Sequence, residues 1–259
     1  MIGMILRLIS FIFRILLIMI GIVATYQLVM AGLYLATTPQ LLKGDLLQIT
    51  EGETQIISFP RQKPVANVEE FRIQYVTGDE IATDMMTAVI AIEDQRFRKH
   101  HGVDFYAIVR AFYYNLQAKE YNQGGSTITQ QLAKNLYISP EKKFSRKIVE
   151  AYLALKLEKQ FSKDEILEMY LNQMYYGQGQ YGIERAAQYF FKVPAKDLTI
   201  AQSAYLAGLL QAPSFYTASE NEVYVRERQK LVLEQMVQLG YSSRQQAEQS
   251  LEEFLSSEN

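Results

Sequence analysis

Three short stretches carry the residues whose types and spacing could do chemistry. The first is AIEDQRFRKHHG, residues 91–102, where Glu93 and Asp94 close an apolar run. Acids at a helix C-terminus sit where the dipole is already negative, so they need compensation. Arg96, Arg98, Lys99, His100 and His101 follow at once and could supply it. One reading is a solvated helix end with local ion pairs. The other places Glu93 in a cleft as a base, its pKa raised by burial. The second stretch is RKIVE, residues 146–150. Spacings of i,i+4 and i,i+3 put Arg146 and Lys147 on the same helix face as Glu150. That face is either a surface salt-bridge ladder or a cationic site for phosphate oxygens lined by Glu150. Lys134 and Lys142 lie upstream and could join it. The third stretch is GGSTITQQLAKN, residues 124–135. It is rich in hydroxyls and amides, and only Ile128, Leu132 and Ala133 give it an apolar face. It is either a solvated turn or a surface for an oxygen-rich ligand.

Composition bounds what these stretches can do. The 259-residue chain is 49% hydrophobic with a formal net charge of −2, which fits a packed body and excludes a broad nucleic-acid surface. There is no cysteine, so thiolate chemistry, disulfides and Cys-based zinc are out. His100 and His101 are the only histidines, and no helix carries a metal-binding spacing; no protein metal site is expected. His100 reads as a structural hydrogen-bonding residue.

The elements that must position these residues are helices. Asp84 begins a helix to Glu93, and Asp104 caps one over 105–118. Ser126 is expected to cap 127–137, and 144–160 shows clear 3.6-residue periodicity. Ser162-Lys163-Asp164-Glu165 is a capping box opening a helix to Asn172. Further helices are expected at 182–191, 198–210, 222–238 and 243–255. The last ones, rich in Gln and Glu, read as a solvated closing layer. Gln55–Phe59 and Phe71–Val76 alternate like short strands in a linker over 37–82. Residues 83–259 then form one mainly α domain.

Ahead of that linker, Ile15–Ala36 is a 22-residue apolar run, long enough to cross a bilayer core. A cleaved signal peptide has a shorter apolar region, and a buried core helix would show a polar face. Arg7 and Arg14 precede the run with no acid, which favours a cytoplasmic N-terminus over residues 1–14. The rest would lie outside, held by one helix.

Two motif matches are decoys. YGQGQYG contains G-x-G-x-x-G at Gly177, Gly179 and Gly182, but it lacks the preceding strand that a dinucleotide fold requires. Ser139-Pro140-Glu141-Lys142 matches S-x-x-K, but K-T-G is absent.

Taken in order, the motifs resemble those of the family-51 glycosyltransferases, the peptidoglycan polymerases found alone or at the N-terminus of class A penicillin-binding proteins. EDQRFRKHHG is similar to the first family motif, with Glu93, Asp94, Phe97, His100 and Gly102 at its defining positions. GGSTITQQLAKN resembles the second and RKIVE the third. KDEILEMYLN and GIERAAQYFF resemble the fourth and fifth. The resemblance covers roughly residues 85–215.

It implies a lysozyme-like α fold with a smaller membrane-facing lobe. It also implies polymerisation of lipid II into β-1,4-linked glycan with inversion, releasing undecaprenyl pyrophosphate. Glu93 matches the catalytic glutamate and Glu150 the second one. Ser126, Thr127, Thr129, Gln130 and Gln131 would offer hydroxyls, amides and helix N–H groups to sugar and phosphate oxygens. Lys134, Arg146 and Lys147 match pyrophosphate-side cations. Lys142 stands where the family can carry Arg, keeping the charge but losing the fork. Mg2+ or Mn2+ enters only as a family-level option, with no dedicated ligand set in the sequence.

The implied partners are lipid II, lipid-linked glycan, the membrane and other cell-wall synthesis proteins. The implied place is the bacterial inner membrane, single-pass, with the catalytic domain on the periplasmic side. Phe105, Tyr106, Phe112, Tyr113, Tyr114 and Tyr121 either pack a helix or touch lipid. A lytic glycosidase and a scaffold with a decayed site are the rival readings. The cationic third motif argues against the first, and intact glutamates argue against the second. No transpeptidase domain follows in the sequence, so a monofunctional polymerase is expected.

Overall fold

A computed structural model describes residues 2–37, 74–118, 125–137 and 145–257. The expected strand at 55–59, Tyr121 and Lys142 lie outside the described residues. So does most of the linker.

Helix α1, Ile2–Thr37, starts well before Ile15. Its Phe13–Met30 stretch has a mean hydropathy of 2.0 and no buried share, so it is long and apolar enough to cross a membrane. The chain then enters the domain at 74–77, the described end of the second expected strand, which makes no strand pairing there. The side chain of Asn172 takes over that role. Its Oδ1 accepts from the Val76 N–H at 3.0 Å, and its Nδ2 donates to the Val76 carbonyl at 2.9 Å.

The domain is built from helices α2 (Thr83–Glu93), α3 (Phe105–Ala118), α4 (Ile128–Tyr137), α5 (Ser145–Gln160) and α6 (Lys163–Gln173). It continues through α7 (Ile183–Phe191), α8 (Ile200–Leu209), the single turn α9 (Pro213–Tyr216), α10 (Glu222–Gln238) and α11 (Arg244–Ser257). Among the described residues, extended pairing is limited to two isolated bridges, His101–Val103 and Tyr175–Tyr181. The mainly α expectation holds.

Two helical groups meet beside the site. In one, α8 is the hub for α2, α10 and α11. It is buried nearly all round, with Ala201, Ala204, Ala207 and Gly208 letting neighbours approach. A Cβ on Gly208 would lie 3.1 Å from Cγ of Arg228, so the glycine gives α10 its close seat. In the other group, α4 packs between α5 and α6 on fully buried Ile128, Leu132 and Ala133. These are the three residues that form its apolar face in the sequence.

Several caps differ from expectation. Helix α2 starts at Thr83, with Ala82 as its N-cap, so Asp84 lies inside the first turn. Helix α4 is capped by Thr127 rather than Ser126. The Gln130 N–H donates to Oγ1 of Thr127 at 3.1 Å, and Oε1 of Gln130 accepts from the Thr127 N–H at 3.1 Å. That reciprocal pair is a capping box, which frees the Ser126 hydroxyl for another partner. The Ser162–Glu165 box forms as expected, and Thr199–Gln202 forms another. The α9 turn between α8 and α10 was not legible in the sequence.

Candidate active site

Glu93 ends α2 and lies half-buried in the wall of a polar cleft of about 400 Å3. Burial is the largest influence on its carboxyl and pushes its pKa up, and the charge of Asp94 adds to that. A hydrogen bond from Gln131 and the charge of Arg228 oppose the shift without cancelling it. Nε2 of Gln131 donates to Oε2 of Glu93 at 2.7 Å. Oε1 of the same amide accepts from the Tyr170 hydroxyl at 3.1 Å, which fixes the amide's direction. A carboxylate with raised proton affinity at a cleft wall is equipped to accept a proton from a bound hydroxyl.

Asp94 is buried and turned away from solvent. Its Oδ2 accepts from the Ile128 N–H at 3.1 Å, at the N-terminus of α4, and lies 2.9 Å from Nε2 of His100. The unfavourable dipole at the end of α2 is thus offset by the favourable one at the start of α4. The other cations after Asp94 are spent elsewhere. Arg96 pairs with Asp104 at 2.9 Å and Arg98 with Asp164 at 2.7 Å. The expectation that the whole local cluster compensates the acids is therefore corrected: Arg96 and Arg98 pair elsewhere, and Asp94 is held by His100 and the Ile128 N–H. A second tie runs from Oγ1 of Thr127 to the Gly102 carbonyl at 2.6 Å. Gly102 itself has φ +82°, and an added Cβ would meet the Ala154 backbone at 2.9 Å. Phe97 is fully buried beneath the Nζ of Lys163, 4.3 Å from its ring centroid. The first motif thereby locks the second in place.

Glu150 is buried, with Nε of Arg146 3.2 Å from Oε1 and Nζ of Lys147 2.8 Å from Oε2. Lys147 also donates to Oγ of Ser126 at 2.7 Å, and Ser126 lines the cleft. The arrangement is more than a solvated ladder. A buried carboxylate holds two partly exposed cations, one of which reaches the cleft wall.

The remaining candidates divide. Gln131, Thr127 and Ser126 line the cleft. Thr129 and Gln130 are buried; Oγ1 of Thr129 donates to Oε1 of Glu158 at 2.7 Å, and Gln130 closes the α4 cap. Lys134 is exposed in the last turn of α4 and is not among the cleft-lining residues. Sequence reasoning missed Arg228, Leu231 and Gln235, which bring α10 into the cleft wall. Reading α10 as a solvated closing layer is corrected here. Their i, i+3, i+7 spacing was available as a signal, but nothing local says which face of α10 a cleft lies against.

The residues do not make a metal cage. Both oxygens of Glu150 are engaged by cations, Oε2 of Glu93 accepts from Gln131, and no group of three or more acidic or histidine side chains converges among the described residues.

Residues 61–237 match the family described as Transglycosylase. Penicillin-binding protein 1A of Neisseria lactamica is 41% identical over 222 residues, covering 85% of this chain and 28% of the relative. Penicillin-binding protein 1A of Pseudomonas aeruginosa is 38% identical over 224 residues, 86% of this chain and 27% of the relative. Penicillin-binding protein 1F of Bacillus subtilis is 44% identical over 172 residues, 66% of this chain and 24% of the relative. The chain spans between 24% and 28% of the length of these relatives. With a family match covering most of the chain and the site residues gathered around one cleft, this protein belongs to the transglycosylase family.

Proposed function

We propose that this chain polymerises the glycan strands of peptidoglycan. The growing lipid-linked glycan is donor and lipid II is acceptor. Glu93 takes the proton from the acceptor GlcNAc 4-hydroxyl while that oxygen attacks the donor anomeric carbon. The bond from that carbon to the phosphate oxygen breaks, and its electron pair leaves with undecaprenyl pyrophosphate. Attack from the opposite face turns an α linkage into a β-1,4 linkage.

The observation that carries this reading is the pairing of two unlike carboxylates. Glu93 is poised to gain a proton, while Glu150 is clamped by Arg146 and Lys147. Those two cations and the Ser126 hydroxyl can receive charge developing on a diphosphate. Glu150 holds and orients them. In the same reading residues 15–36 cross the inner membrane, residues 1–14 stay cytoplasmic and 37–82 link to a periplasmic catalytic domain at 83–259. Anchoring keeps the cleft near a substrate confined to the bilayer, which raises its effective concentration.

The test is to incubate the detergent-solubilised full chain with labelled lipid II beside Glu93→Gln and to separate the products on a gel. A lysozyme-sensitive ladder from the wild type and none from the variant is expected. No polymer from folded wild type, across detergents and with divalent metal supplied, overturns the proposal. Shortening of preformed glycan instead would identify a lytic glycosidase.

A further inference from the structure

Helix α10 carries more than the cleft wall. Arg228, Leu231 and Gln235 line the cleft, and Tyr224 continues the same stripe one turn towards the N-terminus, at i−4 from Arg228. At a rise of about 1.5 Å per residue, Tyr224 stands about 6 Å beyond Arg228 along the helix. The Tyr224 ring is more than half exposed and lies 5.6 Å from the exposed ring of Phe215 on α9. Phe215 in turn meets Tyr216 edge to face at 5.4 Å. The Tyr216 hydroxyl donates to Oε1 of Gln211 at 3.2 Å, and Gln211 lines the cleft. An aromatic ledge therefore continues the cleft outward, joined to it through both α9 and α10.

The ledge is held in place. Nδ2 of Asn221 donates to the Phe215 carbonyl at 2.8 Å, and Nε2 of Gln178 donates to the Thr217 carbonyl at 2.7 Å. Gly177, at φ +93°, packs so tightly on Thr217 that a Cβ would come within 2.6 Å of it. The glycine-rich bend that mimics a dinucleotide motif thus buttresses α9.

Resting on the polymerase reading above, we propose that Phe215 and Tyr224 form a saccharide-binding subsite that holds a glycan segment outside the reaction centre. A pyranose ring presents a face of C–H groups that packs on the electron-rich face of an aromatic ring, while its hydroxyls stay in water. Two exposed rings in contact offer a surface on the scale of a sugar ring, in line with a cleft whose walls are polar. A lipid bilayer fits less well. The two rings continue a polar cleft rather than a broad apolar face, and the nearby Glu222 carboxylate and Arg226 guanidinium pair with each other at 3.6 Å, leaving no basic patch there among the described residues for anionic headgroups.

The sequence contains no tryptophan, so Phe215→Trp gives a single reporter at the ledge. The full chain carrying Phe215→Trp is titrated in detergent with a soluble GlcNAc–MurNAc oligosaccharide lacking lipid and peptide. A saturable fluorescence change is expected, and adding Tyr224→Ala should weaken it about tenfold, whereas Tyr224→Phe should keep it. Phe215→Ala with Tyr224→Ala should also shorten the strands made from lipid II. No saturable change, or an affinity indifferent to Tyr224→Ala, overturns the subsite. A response to phosphatidylglycerol vesicles but not to the oligosaccharide overturns it too and makes the ledge a membrane contact. Polymer from lipid II without oligosaccharide binding removes only the subsite. Oligosaccharide binding without any polymer keeps the subsite and removes the polymerase reading.

Discussion

Gln131 donates to Glu93 at 2.7 Å while its own carbonyl is pinned by Tyr170. This places a neutral donor, set by a buried phenol, against a carboxylate whose pKa burial has raised. Gln131 partly restores the stability of the anion that must act as base. The base therefore ionises more readily than burial alone would allow, without direct contact with a cation that would quench it.

That balance predicts a pH profile. Transfer requires deprotonated Glu93, so the rate should fall as pH drops through its raised pKa, above the ordinary glutamate value of about 4.3. Gln131→Leu removes the donor that lowers the Glu93 pKa, so the acidic limb should move to higher pH. Initial rates on lipid II across pH check this; an unmoved limb would remove Gln131 from the role.

The same shift has a stability consequence of opposite sense to activity. Glu93 has a higher pKa folded than unfolded, so its charged form costs the fold free energy once pH is above the unfolded value. Glu93→Gln should abolish transfer and raise Tm by about 2–4 °C at neutral pH. Below about pH 4 the gap should close, because wild-type Glu93 is protonated in both states. Thermal melts at the two pH values decide it.

Glu150 should behave in the opposite way. Its buried oxygens each hold a cation, so Glu150→Gln weakens two ion pairs and leaves Arg146 and Lys147 less well placed. Both cations reach water, which softens the loss. A destabilisation of about 1–3 kcal/mol is expected, together with reduced transfer. Denaturant titration beside Glu93→Gln should give opposite signs for the two carboxylates.

Asp94 joins the first motif to the second. Asp94→Ala leaves the Ile128 N–H and Nε2 of His100 without their acceptor. The expected cost is about 1–3 kcal/mol. Transfer should fall as well, because Ser126 and Gln131 are positioned by the start of α4. Hydrogen exchange in the first turn of α4 should rise; unchanged protection there would refute the link.

Gly102 tests the second tie. Gly102→Ala combines a φ of +82° with a Cβ 2.9 Å from the backbone carbonyl of Ala154, which cannot move as a side chain would. A loss of about 2–4 kcal/mol is expected from the two effects together. A melting temperature equal to wild type would show that the α5 backbone yields.

Local signals made much of this protein legible. Helix α10 was placed at 222–238, where it lies, and the Ser162–Glu165 box was read directly, because periodicity and caps are properties of neighbouring residues. The cap of α4 was displaced by one residue, since Ser126 and Thr127 are both good caps and only the contact with Gly102 and the reciprocal Gln130 bond choose between them. The partners of Arg96, Arg98 and Glu158 were not legible, because each bond closes across a turn or between helices.

The sequence by itself determined the helical architecture, the apolar N-terminal segment and the two glutamates with their cations, since these follow from composition, period and motif. Only the tertiary structure decided what those groups face. It turned Asp94 inward onto the α4 dipole, set Gln131 on Glu93 and tied Lys147 to the cleft through Ser126. It also carried Arg228 and Tyr224 on α10 to the same cleft and its outer ledge. The reason is that burial, proton affinity and hydrogen-bond pairing depend on groups far apart in the chain, whose approach is fixed by packing on the α8 hub rather than by any local pattern.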